Sequence, residues 1–341
     1  MKHCVETGFE GRNHRSIRLR RSASVAAAAF ILAASLGSGS AEGLPRSTSV
    51  TIRAATSDPI NQGAVATAQA TRRPQSSYPV GGSTSAGWIV HCGFAHTLSD
   101  DPIKFPGQPG ASHSHDFLGA LDAKASSSEA SMRSGGTTCG LPEDTAGYWV
   151  ATLSANGTPV HPVDGAPGVG GAASSQNVYY RNPDGMAVQP IPAGLKMIVG
   201  NAMAMSVAEN PLLGHEIWFG CSDNSISAKL TAPPARCPEG IITLHVHFPN
   251  CWDGTNLDSP DHISHMAWSH DKHCDPAHPV VIPEVTLRLE YPVGASTGAI
   301  TLASGPTYTV HGDFWNTWDQ ARLATLTATC INAGIDCGKF R

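Results

Sequence analysis

Charge is scarce in this chain: Asp, Glu, Lys and Arg make up 14% of its 341 residues, and aromatic residues 6%. Blocks of like charge that would keep a chain solvated and unfolded are absent. Beyond the N-terminal arginines there is no basic run to neutralise a phosphate backbone, which argues against a nucleic-acid partner. The longest apolar run, residues 25–36, has 12 residues, whereas a bilayer needs about 20, so no membrane span is expected. No C-x2-C spacing is present, which leaves a cysteine-built zinc module without its usual ligands. There is no internal repeat.

What is abundant is loop-forming residues, with 35 glycines and 25 prolines, and histidine, with 16. The glycines lack the three-residue period of collagen. Arg12, Arg15, Arg18, Arg20 and Arg21 precede the apolar run, and Gly37, Ser38, Gly39, Ser40 and Ala41 follow it. That order reads as a signal peptide over residues 1–41, and hence a secreted protein. Arg20-Arg21 is followed by Ser22, Ala23 and Ser24 rather than by the apolar residues of a twin-arginine signal, and the export route stays open. Cleavage removes six of 22 basic and two of 27 acidic residues, leaving 16 against 25, a net charge of −9. It also removes Cys4, leaving eight cysteines, an even number suited to four disulfides in an oxidising compartment. Short loops favour Cys330 with Cys337, Cys251 with Cys274 and Cys221 with Cys237, which leaves Cys92 for Cys139.

Residues 42–87 are rich in Ser, Thr, Ala, Pro and Gly and read as a linker. A single secreted domain is expected over 88–341. Short runs rich in β-branched or aromatic residues at 88–90, 148–153, 178–180, 195–199, 216–219, 241–248, 285–291 and 308–310 are separated by Gly, Pro or Asn. They predict a mainly β fold, a β-sandwich or jelly-roll-like arrangement, loop-rich and stapled by disulfides. One C-terminal helix is predicted over 315–331, opened by Asn316 or Thr317.

Seven of the histidines (His245, His247, His262, His265, His270, His273 and His278) lie within residues 243–279. In 241–248, Ile242, Leu244, Val246 and Phe248 share one strand face and Thr243, His245 and His247 the other. A second pair, His113-Ser114-His115-Asp116, follows a turn-rich segment; Gly107, five residues and His113-x-His115 match the start of a cupin metal motif, but the expected Glu is missing. His262 and His265 stand three apart, with Asp258, Asp261, Asp271 and Asp275 nearby to orient imidazoles. Neutral histidines beside a carboxylate suit Zn2+ or Cu2+ better than Ca2+. The same residues also suit metal-free acid and base work, or a purely structural role in a loop-rich core. His311, Asp313, Phe314, Trp315 and Trp318 form a further polar and aromatic group. No histidine occurs between His14 and His91, which argues against a copper oxidase built on a mature N-terminal histidine.

The segments Phe105-Pro106-Gly107-Gln108-Pro109-Gly110, His113-Ser114-His115, Phe248-Pro249-Asn250-Cys251-Trp252-Asp253-Gly254, Asp261-His262-Ile263-Ser264-His265 and His311-Gly312-Asp313-Phe314 resemble a secreted domain-of-unknown-function family (DUF1996) shared by filamentous fungi and actinomycetes. The resemblance runs from about residue 88 to 331. It implies export and, through the family's frequent fusion to carbohydrate-binding modules, a polysaccharide environment; it implies no reaction. Positions matching its signature segments are His113, His115, Asp253, Asp258, Asp261, His262, His265, His278, His311 and Asp313. His245 and His247 depart from fungal members, so the resemblance favours His113, His115, His262 and His265 as ligands of one divalent metal, zinc or copper. As candidate catalytic residues we take His113, His115, Asp253, Asp261, His262, His265, His311 and Asp313. The expected activity is that of a hydrolase or lyase on extracellular or cell-wall polysaccharide; the alternative is a non-catalytic glycan- or wall-binding protein. Oligomeric state is left open.

Overall fold

The computed structural model describes residues 86–162, 176–182, 184–294 and 297–341. The chain divides into two units, Met1–Thr71 and Arg72–Arg341, and every described residue belongs to the second. The expected signal peptide and most of the linker, through residue 85, lie outside the described residues. Order is in place at Ala86, which is buried, and the first strand, Gly87–His91, begins at once.

Two sheets dominate the mainly β fold. One has six strands in the order Asp336–Phe340, Gly87–His91, Asn177–Arg181, Glu284–Pro292, Ile241–His247 and Ile217–Cys221. The other has five: Phe94–Leu98, His115–Gly119, Gly147–Ala151, His311–Trp315 and Lys196–Gly200. All neighbours are antiparallel except Gly87–His91 with Asp336–Phe340. The period of two decides which face is buried. Leu244 and Val246 point inward with Val178, Tyr180, Leu287 and Leu289, against Leu118, Tyr148, Val150 and Phe314 of the five-stranded sheet.

The two sheets meet face to face as a sandwich, directly joined by a hydrogen bond between the hydroxyls of Tyr148 and Tyr180 and by the Phe248–Phe314 ring contact. At Gly312 the approach is so close that a Cβ would lie 2.8 Å from Val246 Cγ1. The outer face of the five-stranded sheet carries a smaller core, in which Phe117, Trp149 and Trp315 pack on Ile103, Ala123 and Met132 from the 100–135 excursion.

Four disulfides, Cys92–Cys139, Cys221–Cys237, Cys251–Cys274 and Cys330–Cys337, join the eight cysteines as loop length predicts. Several local expectations need correction. The one C-terminal helix is present but starts later than expected: Trp315 ends a strand, Asp319 caps Gln320–Leu326 by accepting from Arg322 N–H, and a π-helical turn, Thr327–Ile331, completes the helix. Residues 308–310, read as a strand, are not one: Thr307–Thr309 form a 3-10 turn. A short helix, Glu129–Gly135, capped by Ser128 and Ser131, went unpredicted. Among the described residues, no helix is long and apolar enough to cross a membrane.

Candidate metal centre

The sheet register builds the site. His115 pairs with Ala151 across one strand boundary. Across the next, Gly312 pairs with Val150 and Asp313 with Trp149, so His311 falls opposite Ala151; beyond it His311 pairs with Gly200. The row His115–Ala151–His311–Gly200 therefore lies on the outer face, and its two small members leave room above the sheet. Gly200 adopts a positive φ of 88°, and a Cβ there would lie 2.4 Å from Val310 O.

Over Ala151 the two imidazoles lean together until their Nε2 atoms are 3.2 Å apart. His113, two residues before the strand, brings its Nε2 to 3.1 Å from that of His311. These three side chains can hold a metal ion: one ligand atom from each lies within 4.8 Å of the others. For comparison, a tetrahedral ion with bonds of about 2.0–2.1 Å separates its nitrogen ligands by about 3.3–3.4 Å.

Tautomer strengthens the case. His115 Nδ1 donates to the Asp100 carbonyl at 2.9 Å, and His311 Nδ1 donates to the Thr309 carbonyl at 3.0 Å. A carbonyl only accepts, so each neutral ring keeps its proton on Nδ1 and a bare lone pair on Nε2. Two lone pairs facing each other at this distance repel unless a cation lies between them. Burial disfavours the charged rings: it pushes His113 down to about 4, aided by the nearby His311, lowers His115 well below the usual histidine range, and lowers His311. The trio is neutral at neutral pH, as metal ligation requires. His115 and His311 are buried, and His113 is partly exposed and marks the open side.

Two carboxyl groups adjoin the trio. Asp313 stands two residues beyond His311 on the same strand face, fully buried, with neither oxygen hydrogen-bonded. Burial, with the negative Asp101 nearby, pushes its carboxyl far above the usual range. Asp101 is itself buried; its Oδ1 accepts from the N–H groups of Ile103 and Lys104, both at 2.9 Å. Burial raises Asp101 too, while His311 and His262 act on it electrostatically in the opposite sense. Nothing in the sequence singles Asp101 out.

The remaining candidates sit differently. His262, at a positive φ of 64°, hydrogen-bonds through Nδ1 to Asp258 at 2.8 Å; its tie to the trio is the shared electrostatic neighbour Asp101. His265 is buried with both ring nitrogens engaged, Nε2 with the Lys196 carbonyl at 2.7 Å and Nδ1 with Ser259 Oγ at 2.8 Å. Asp261 Oδ1 accepts from the N–H groups of Ser264 and Ile263 and the hydroxyls of Ser259 and Ser264, bonds that hold its carboxylate far below the usual range. Asp253 organises a turn by accepting from Thr255 and Asn256, and against the opposing effect of burial those bonds keep it ionised. His278 bridges Asp275 and the Ser264 carbonyl. His245 stacks on Trp218 and His247 bonds Glu284, both on the outer face of the six-stranded sheet, the opposite side of the sandwich. The three-histidine group thus contains two of the four expected ligands, His113 and His115, together with His311, expected as a catalytic residue.

Residues 101–318, more than half of the chain, match the family described as Domain of unknown function (DUF1996). The chain belongs to this family. No curated protein and no solved structure matches it. The matched span contains the whole trio, Asp101 and Asp313.

Proposed function

We propose that this DUF1996 protein is a secreted, metal-assisted enzyme, a hydrolase or lyase acting on extracellular or cell-wall polysaccharide, with one divalent zinc or copper ion on His113, His115 and His311. The observation that carries the reading is the convergence of three neutral Nε2 atoms, two of them aimed by carbonyls that fix their tautomer. A metal on three histidines supplies a Lewis acid and brings a bound water toward a pKa of about 7.

The chain's own residues do the rest. The Asp100 and Thr309 carbonyls hold two rings in place, as orienting partners do in zinc enzymes. Asp313 is a buried neutral acid two residues beyond His311 on the same strand face, and His262, gripped by Asp258, acts electrostatically on Asp101, the neighbour of the trio. Asp253, Asp261 and His265 build the loop that carries His262. Export is supported by the four disulfides, which persist in oxidising compartments. The polysaccharide substrate is supported by the family resemblance alone.

The test is a polysaccharide panel incubated with the purified protein as isolated, after chelation, and after zinc or copper is restored. Turnover that disappears with chelator, returns with metal and is absent in His311→Ala supports the reading. Retention on an insoluble glycan with no product, unchanged by chelator or by His311→Ala, overturns it in favour of the non-catalytic wall-binding protein.

A further inference from the structure

Beside the trio the fold presents two thioethers to solvent. Met203 is 83% exposed and Met205 80%, the two most exposed large apolar side chains among the described residues. Between them Ala204 is buried. The loop is ordered by its own polar groups: Asn201 Oδ1 accepts from Met203 N–H, Glu209 Oε2 from Met205 N–H, and Asn201 Nδ2 donates to the Glu209 carbonyl. This is a tied loop that turns Ala204 inward and leaves both methionines out.

Both ends of the loop are fastened next to the histidines. It leaves the sheet at Gly200, the strand partner of His311. It returns at Asn210, whose Nδ2 donates to the carbonyls of Tyr308 at 2.9 Å and Val310 at 2.8 Å, immediately before His311. Three residues of fully extended chain span at most about 10–11 Å, which bounds the Cα distance of Met203 from Gly200. Both methionines therefore stand on a loop whose two ends adjoin His311.

Thioethers are soft, uncharged ligands that neither zinc nor the hard cations favour, and they select monovalent copper. From this juxtaposition we infer that Met203 and Met205 form a soft-ligand site for Cu(I) on the loop fastened beside the three-histidine centre. The inference rests on the metal reading of the trio and adds to it a second, soft site, leaving the divalent ion of the trio as proposed. Binding on this loop involves no change of oxidation state: Cu(I) exchanges a weakly held ligand for the two sulfurs.

The experiment uses the secreted chain, titrated anaerobically with Cu(I) as its acetonitrile complex, and separately with Zn(II). The variants are Met203→Leu/Met205→Leu, close in volume and exposed, and His311→Ala. Stoichiometry is followed by calorimetry, and X-ray absorption at the copper edge separates sulfur from nitrogen neighbours. We expect two Cu(I) per wild-type chain, one in the leucine variant with no sulfur signal, and Zn(II) binding the same in both. Equal copper uptake in wild type and the leucine variant, or no sulfur neighbours in wild type, overturns the inference and leaves the loop as an apolar contact for a partner. Failure of the metal reading looks different: Zn(II) and Cu(I) uptake is then unaffected by His311→Ala, whatever the methionines do.

Discussion

The Nε2 atoms of His115 and His311 face each other at 3.2 Å over Ala151, and the far nitrogen of each ring is fixed by a backbone carbonyl. The two residues are 196 positions apart in sequence. They meet because three strands place them in one row, with the smallest chiral side chain between them.

Ala151→Leu should therefore abolish metal binding without touching a ligand. A leucine there fills the space in which the rings converge, and overpacking a tight site costs about 1–3 kcal/mol. Calorimetric zinc titration and a thermal melt check this: binding lost with the fold retained is the expected pair of results.

His265→Ala and His113→Ala should separate structure from ligation. Removing His265 leaves the Lys196 carbonyl without its buried donor, at a cost of about 1–3 kcal/mol, and should lower the melting temperature while zinc stoichiometry stays at wild type. Removing the partly exposed His113 should weaken zinc binding at least tenfold with a smaller change in melting temperature.

How far the site could be read in advance follows from how each residue is placed. The strand Ile241–His247 announces its faces by alternation, and His113-x-His115 stands out as a pair. His262 and His265 stood out equally, because two imidazoles three apart suggest a shared ion; the loop instead directs His265 to a carbonyl and a hydroxyl. Assigning His311 as a ligand needs the register of three strands, which no local spacing encodes. The strand His115–Gly119 was hidden behind its turn-rich approach, and Glu129–Gly135 is too short to show a helical period.

Metal binding should persist below the usual histidine range. Burial lowers His113 to about 4 and also lowers His115 and His311, so protons displace the metal only near or below that value rather than around 6.5. The apo protein follows the same linkage: its unfolded state takes up these protons first, so stability falls as pH drops below about 6.5 and levels off only below the folded values. Zinc titrations and melts between pH 7 and 4 measure both.

A chain lacking residues 1–41 should titrate no free thiol when denatured without reductant, since all eight described cysteines are paired. Cys92–Cys139 closes the longest loop, 47 residues, and the chain-entropy model assigns it about 4 kcal/mol. Cys92→Ser/Cys139→Ser should be destabilised most among the four paired variants in a urea titration.

Zinc stoichiometry of the wild-type chain, His311→Ala and His262→Ala, compared in one set of titrations at pH 7, tests the three-histidine centre most directly. We expect one ion per chain in wild type and in His262→Ala, and none in His311→Ala. An ion retained by His311→Ala, or lost from a folded His262→Ala, would contradict it.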